Sequence, residues 1–425
     1  MSEPRSPVTP QSVPSYRPDN SRPGIPLLGI SLNLIFILLF VHLSVPRLRP
    51  YTSKAVWLSH YNPDTGCYGV GSDDLYFIGF CVVSYTGLRA FSIENILAPL
   101  GRRWGISKSK DIRRFSEQAW LLCYFSLSWT LGMYIYCTSK YFLNLREMFT
   151  DWPTRELPGI TKAYILGQWA FWQQQLLVIH IENRRKDHWQ MLTHHIVAIV
   201  LIYTSYTLHL TRVANLVLIL MDVVDIIFPL AKCLRYLGRS TMCDIMFGVF
   251  MLSWFLARHI LYLITMWGIW EYMAEVIPIG CYHGSQGNLT GPTPLPEHGW
   301  LHMLEPFRRP SGTICFSKRV QWGFLGALGF LQILTVAWLV MIIQVALLVL
   351  KGGVANDIRS DSESEHDERD MRKNQNEEGA GVSAVDRKPW KRRGGMNMAA
   401  SSSSVRLAGH SDPKDLLGRV GCEKH

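Results

Sequence analysis

The stretch "HHIVAIVLIYTSYTLHLTRVANLVLILMDVVDIIFPLAK", His194 to Lys232, holds two apolar blocks with almost nothing between them. Each block is close to the ~20 residues that an α-helix needs to cross hydrocarbon. Two such helices with no room for a loop form an antiparallel hairpin. Ionisable groups are set into both arms: His194 and His195 in the first, Asp222 and Asp225 in the second. Each costs several kcal/mol in a bilayer unless it is paired or hydrated, so such residues point to function.

The same pattern extends outward in both directions. Long apolar blocks alternate with short basic or polar stretches across a chain of 425 residues, 48% of them hydrophobic. The blocks predict about eight membrane-spanning helices. They lie near Pro26–Val45, Leu75–Leu97, Glu117–Tyr141, Ala163–Glu182, Met191–Leu210, Val213–Leu234, Ile245–Trp270 and Val320–Leu350. The expected fold class is therefore all-α, a polytopic membrane protein. The Pro/Ser-rich start has no early apolar core, so the first apolar block reads as a signal-anchor rather than a cleaved signal peptide. The net charge of +10 does not indicate nucleic acid. Its Lys and Arg residues sit mostly at the ends of apolar blocks, where they orient a membrane protein. The nine Cys show no CxxC spacing, so no zinc or redox motif is expected.

Alternate loops carry the positive charge: Arg102 to Arg114, then Arg184, Arg185 and Lys186, then Lys232, Arg235 and Arg239. That side is expected to face the cytosol, with both termini. Arg47, Arg49 and Lys54 fall on the other side and fit less well. The loop Glu271 to Ser317 would then be lumenal. It contains an N-glycosylation triplet at Asn288, and Cys281 and Cys315, which can pair in an oxidising compartment. The tail is polar and charged, with the composition of a disordered segment. Within "SDSESEHDERD", Ser360, Ser362 and Ser364 each precede an acidic residue by three, as acid-directed phosphorylation would require.

The polar residues inside the spans fall at compatible depths. His194 and His195 lie about one turn from the cytosolic end of their helix. Asp225 precedes Lys232 by roughly 10 Å of helix rise, with Asp222 one turn deeper on the same face. A carboxylate next to an imidazole orients it and stabilises its charged form. In "GQWAFWQQQ", Gln168, Trp172 and Gln175 share one helix face. Arg258 and His259 interrupt "SWFLARHILYL", and Arg258 needs a partner, Asp222 or another group. Simple helix–helix glue is the plain alternative, although such polar pairs are usually fewer and uncharged. A single zinc on two His and two Asp is another. The remaining histidines stand at spacings that do not suit a metal cluster, and no metal is expected.

Taken together, HH, Ser205-Tyr206, Asp222-x-x-Asp225 and Lys232 resemble the signature of the ceramide synthase (longevity-assurance) family, whose core is the TLC domain. "RRFSEQAW", "FWQQQ", "NRRKDHWQM" and "LARHILYL" are similar to other parts of that domain. Ala214 stands where many members carry Gly. The homeobox-like insert of animal members is absent, and the acidic serine tail is similar to the fungal form. The resemblance implies a cytosolic N-terminus (1–23), N-terminal helices with a basic loop (24–110), a catalytic TLC domain (111–351) and a cytosolic tail (352–425). It further implies sphingosine N-acyltransfer from acyl-CoA to the amine of a sphingoid base, in the endoplasmic reticulum membrane and with no cofactor besides the co-substrate. A homodimer and a small regulatory subunit are implied partners.

Under that reading His194 is nucleophile or base ahead of His195, and Asp222 and Asp225 orient the imidazoles. Trp172, Gln175 and Arg258 line the substrate path, while Arg185 and Lys232 meet CoA phosphates. Two other readings compete: a non-enzymatic TLC-domain protein that senses lipid or assists translocation, and a zinc-dependent ceramidase-like hydrolase.

Overall fold

The computed structural model describes residues 27–181, 187–296, 300–309 and 311–350. Arg184, Arg185, Lys186, Ser360, Ser362 and Ser364, with the two terminal segments, lie outside the described residues.

The described chain is mostly helical. α1 (Leu27–Ser44) is followed by the short α2 (Arg49–Val56). α3 (Asp74–Phe91) continues through a π turn over Ser92–Leu97 into α4 (Ala98–Arg103). Then come α5 (Ser109–Cys137), α6 (Gly159–Ile181), α7 (His188–Thr207) and α8 (Thr211–Tyr236). α9 (Ser240–Phe255) runs through a second π turn, Leu256–Leu261, into α10 (Tyr262–Val276). The short α11 (Leu301–Arg308) precedes the long α12 (Lys318–Leu350).

Five of these rods are long and apolar enough to cross a membrane: α1, α3–α4, α8, α9–α10 and α12. α5, α6 and α7 are as long but more polar, because they carry Ser116, Gln118, Ser128, Gln168, Gln174, His194 and His195. All seven of these polar side chains are buried in the protein. A helix that places its polar face against neighbouring helices loses average hydropathy without exposing polarity to lipid.

The loops at one end are not irregular, as an all-α reading would have them. β1 (Tyr61–Asn62), β2 (Cys67–Gly69) and β3 (Glu156–Leu157) make one antiparallel sheet. β5 (Thr290–Thr293), β4 (Gly280–His283) and β6 (Ile314–Phe316) make a second. Packed loops must pair their backbone N–H and C=O groups, and short ladders do this locally. Cys281 and Cys315 are opposite each other in the β4–β6 register and are disulfide-bonded. Asn288 lies in the exposed turn before β5.

Only Leu208, His209 and Leu210 separate α7 from α8. The α5–α6 connection holds that hairpin. Trp152 Nε1 donates to the Leu208 carbonyl (2.9 Å), and Arg212 Nη1 donates to the carbonyls of Glu147 (2.9 Å) and Thr150 (2.8 Å). His209, with φ of 54°, donates from Nδ1 to the Thr154 carbonyl and accepts at Nε2 from Arg155. α5 and α8 approach closely at Gly132, where a Cβ would stand 2.7 Å from Ile219 Cγ2. Asn215 Nδ2 donates to the Gly132 carbonyl there, and Trp129 Nε1 to that of Ile219.

At the same end Lys162 of α6 and Asp74 of α3 form an ion pair of 2.6 Å, with side-chain exposures of 0% and 2%. Lys162 also donates to the carbonyls of Ser59 and Gly69, and Asp74 accepts from Tyr206 Oη and the Gly71 amide. α3 is thereby tied to α6 and α7.

Candidate active site

A cavity of about 360 Å³ opens among α5–α9, the second π turn and α12. Its floor and walls are aromatic: Phe125, Trp172, Phe250, Trp254 and Trp338 all line it. Lys232 and Arg235, in the last turns of α8, line it toward the basic end. His194, His195, Asp225, Arg258 and Gln175 also face it.

Consecutive positions on a helix point about 100° apart, so His194 and His195 can share one cavity only by occupying different walls. Their ring centroids are 5.6 Å apart at 81°. Trp172 meets both edge-on, at 5.7 and 5.1 Å, and Trp338 meets His194 at 5.2 Å. His195 Nδ1 donates to the Met191 carbonyl one turn back, at 2.7 Å. That bond assigns the tautomer and leaves the Nε2 lone pair available. His194 Nδ1 is enclosed without a hydrogen-bond partner, and the ring lines the cavity.

The aspartates take other partners than the sequence suggests. Asp222 is fully buried; its Oδ2 accepts from Gln168 Nε2 at 2.5 Å and from Ser128 Oγ at 3.5 Å. Asp225 pairs with Arg258 at 3.2 Å, and the same Nη2 donates to the Met221 carbonyl at 3.0 Å. The hydrogen bond that orients His195 comes from the backbone, and the packing that holds His194 comes from two indoles. A carboxylate one turn from another on α8 faces a different neighbouring helix at each level, which spacing along one helix cannot reveal.

Arg258 sits in the π turn Leu256–Leu261. The extra residue in such a turn rotates the side chains that follow, and these bulges concentrate at functional sites. Here it sends Arg258 toward α8 while His259 bonds Gln332 of α12 at 2.8 Å. The guanidinium also lies 4.4 Å from the Trp254 ring centroid, a stacking that suits a weakly hydrated cation. Asp225→Asn and Arg258→Gln should each lower turnover by about 10- to 100-fold, the loss of one charge-assisted hydrogen bond. The double variant should be little worse than either single one. Steady-state rates of the three proteins measure this; strictly multiplicative losses would show that the pair does not act as a unit.

Trp172, Gln175, Lys232 and Arg258 therefore line one cavity with both histidines. Trp254, Trp338 and Phe250 escaped sequence reasoning, since isolated aromatics in apolar helices carry no spacing signal. Gln118 of α5 also lines the cavity. Among the described residues no three His, Cys, Asp or Glu side chains converge as a metal site.

Residues 114–344 match the TLC domain family. The chain is 40% identical over 400 residues to a protein of Gibberella moniliformis named ceramide synthase FUM18, covering 94% of this chain and 91% of that protein. The chain belongs to the ceramide synthase family. A sphingosine N-acyltransferase-like protein of Alternaria alternata, ALT7, is 43% identical over 79% of this chain and 75% of its own length. Sphingosine N-acyltransferase lag1 of Schizosaccharomyces pombe is 37% identical, over 80% of each chain. The matches to FUM18, ALT7 and lag1 each extend well beyond the TLC domain, so the N-terminal helices share in the relationship.

Proposed function

We propose that the protein is an acyl-CoA-dependent sphingoid base N-acyltransferase whose chemistry runs on His194 and His195. The observation that carries this is the pair of imidazoles lining one aromatic cavity together with the basic side chains of Lys232 and Arg235. An acyl thioester is already activated, so what is needed is a nucleophile, a base and the exclusion of water.

In the proposed sequence His194 Nε2 attacks the thioester carbonyl carbon. The C–N bond forms, the C–S bond breaks, and the CoA thiolate leaves toward Lys232 and Arg235. The sphingoid ammonium gives a proton to His195 Nε2. The freed amine then attacks the acyl group, forming the amide C–N bond as the C–N bond to His194 breaks. Of the two protons the ammonium nitrogen loses, one ends on the CoA sulfur and one leaves through His195. Arg258, held by Asp225, places fixed positive charge beside the thioester oxygen as it becomes negative. Asp222 acts as a positioning residue, since it binds Gln168 one turn from Trp172 on α6.

The basic end faces the cytosol in this reading, as soluble anionic CoA requires, and all eight long helices cross the endoplasmic reticulum membrane. Both termini are then cytosolic, and the disulfide and Asn288 lie in the lumen. Tail phosphorylation at Ser360, Ser362 and Ser364 rests on the acidic residue three positions after each, while a homodimer and a small regulatory subunit are implied by the family resemblance.

The test is direct. Purified protein in lipid, given fatty acyl-CoA and a sphingoid base, should form ceramide and free CoA in equal amounts. With acyl-CoA alone, intact mass should show an acyl adduct. Ceramide without an adduct would reduce His194 to a base. No ceramide from folded protein with any acyl-CoA would favour the non-enzymatic reading.

A further inference from the structure

A second, smaller chamber of about 110 Å³ lies on the other side of His195. It shares with the main cavity His195, Gln118, Leu121, Gln175, Asp187 and Met191, so the two spaces meet along this common wall. Its own lining is different. Glu117 of α5, Arg89 of α3 and His188 of α7 are polar, and Val178 and Ile179 of α6 are apolar. The main cavity is bordered by Lys232, Arg235 and Arg258; of its two carboxylates, Asp225 is engaged by Arg258 and Asp187 is shared with the second chamber. Glu117, by contrast, is paired with an outward-facing partner, Arg113, whose side chain is 68% exposed. Exposed pairs of this kind hold by at most about 1 kcal/mol and exchange readily.

We infer that this chamber receives the headgroup of the amine substrate, with Glu117 and Asp187 facing its ammonium and His195 standing between it and the acyl group. The inference rests on the acyltransferase reading above. A sphingoid headgroup is a cation carrying hydroxyl groups. Carboxylates suit the cation, and Arg89, His188 and the glutamines can serve the hydroxyls. The basic mouth of the main cavity repels the same cation and attracts CoA. The two substrates thus reach His195 from separate spaces, the CoA phosphates beside Lys232 and Arg235 and the amine beside Glu117 and Asp187. The volume matches roughly three to four water molecules, enough for an amino-diol headgroup and not for a nucleotide. Val178 and Ile179 begin the apolar path along which the long chain would lie.

The experiment uses full-length protein in neutral phospholipid nanodiscs and measures KM separately for sphinganine and for acyl-CoA. Glu117→Gln, nearly isosteric, should raise the sphinganine KM about tenfold, the loss of one charge-assisted contact. The acyl-CoA KM should stay within about twofold. Val178→Trp, which fills the chamber from a half-buried position, should do the same without touching charge. Equal shifts in both KM values, or no shift in either variant, would overturn the proposal. If wild-type protein forms no amide at all, equilibrium binding of labelled sphinganine separates the two ideas. Sphinganine bound by wild type and lost in Val178→Trp, with N-acetylated sphinganine bound weakly, would uphold the chamber and remove the reaction. Equal binding by both proteins would overturn the chamber itself.

Discussion

His194→Ala is expected to lower ceramide formation by roughly 10²- to 10⁴-fold, the usual contribution of a positioned proton-transfer or nucleophilic side chain. His194 packs edge-on between Trp172 and Trp338, so the smaller residue leaves a void beside two indoles. His194→Gln fills that space better and should lose as much activity, which separates chemistry from packing. His195→Ala should also lose ceramide formation, but through a different step. With acyl-CoA alone, the acyl adduct should persist in His195→Ala and be absent in His194→Ala. Quantifying ceramide and intact mass for all three variants decides the matter. An adduct retained in His194→Ala and lost in His195→Ala would exchange the two roles. Full activity in His194→Ala would end the proposed mechanism.

The second large effect is structural. Lys162 and Asp74 form an almost fully sealed ion pair that joins α6 to α3. Breaking such a pair from one side leaves a buried charge without compensation and costs on the order of 3–5 kcal/mol. Lys162→Met would strand the Asp74 carboxylate, although Tyr206 and the Gly71 amide still donate to it. Asp74→Leu would strand an ammonium left with the carbonyls of Ser59 and Gly69 and the face of the Tyr68 ring. Each single variant should melt well below the wild type in detergent. Lys162→Met with Asp74→Leu should recover most of the difference, because neither charge is then buried. Thermal aggregation followed by size-exclusion chromatography measures all three. Single variants that melt with the wild type would mean that water reaches the pair.

The His194–His195 pair was legible because imidazoles inside an apolar block have few reasons to be there. Asp222 and Asp225 were legible for the same reason, yet their partners were not. Asp222 binds Gln168 and Ser128, and Asp225 binds Arg258, because α6, α5 and the second π turn approach α8 on different sides. The Lys162–Asp74 pair gave no signal, since each residue lies at a helix end, where charge is ordinary. The small sheets at the end of the bundle were missed because strands of two to four residues are too short for alternation to show.

The amino-acid sequence alone determined the order of the long helices, the tight α7–α8 hairpin and the identity of the histidine pair. These follow from hydrophobic length and from the cost of charge in hydrocarbon, which act locally along the chain. Only the tertiary structure decided which indoles meet each imidazole, which cation answers Asp225, and that a second chamber adjoins His195. Those depend on which faces of separate helices meet, and side chains far apart in sequence set that together.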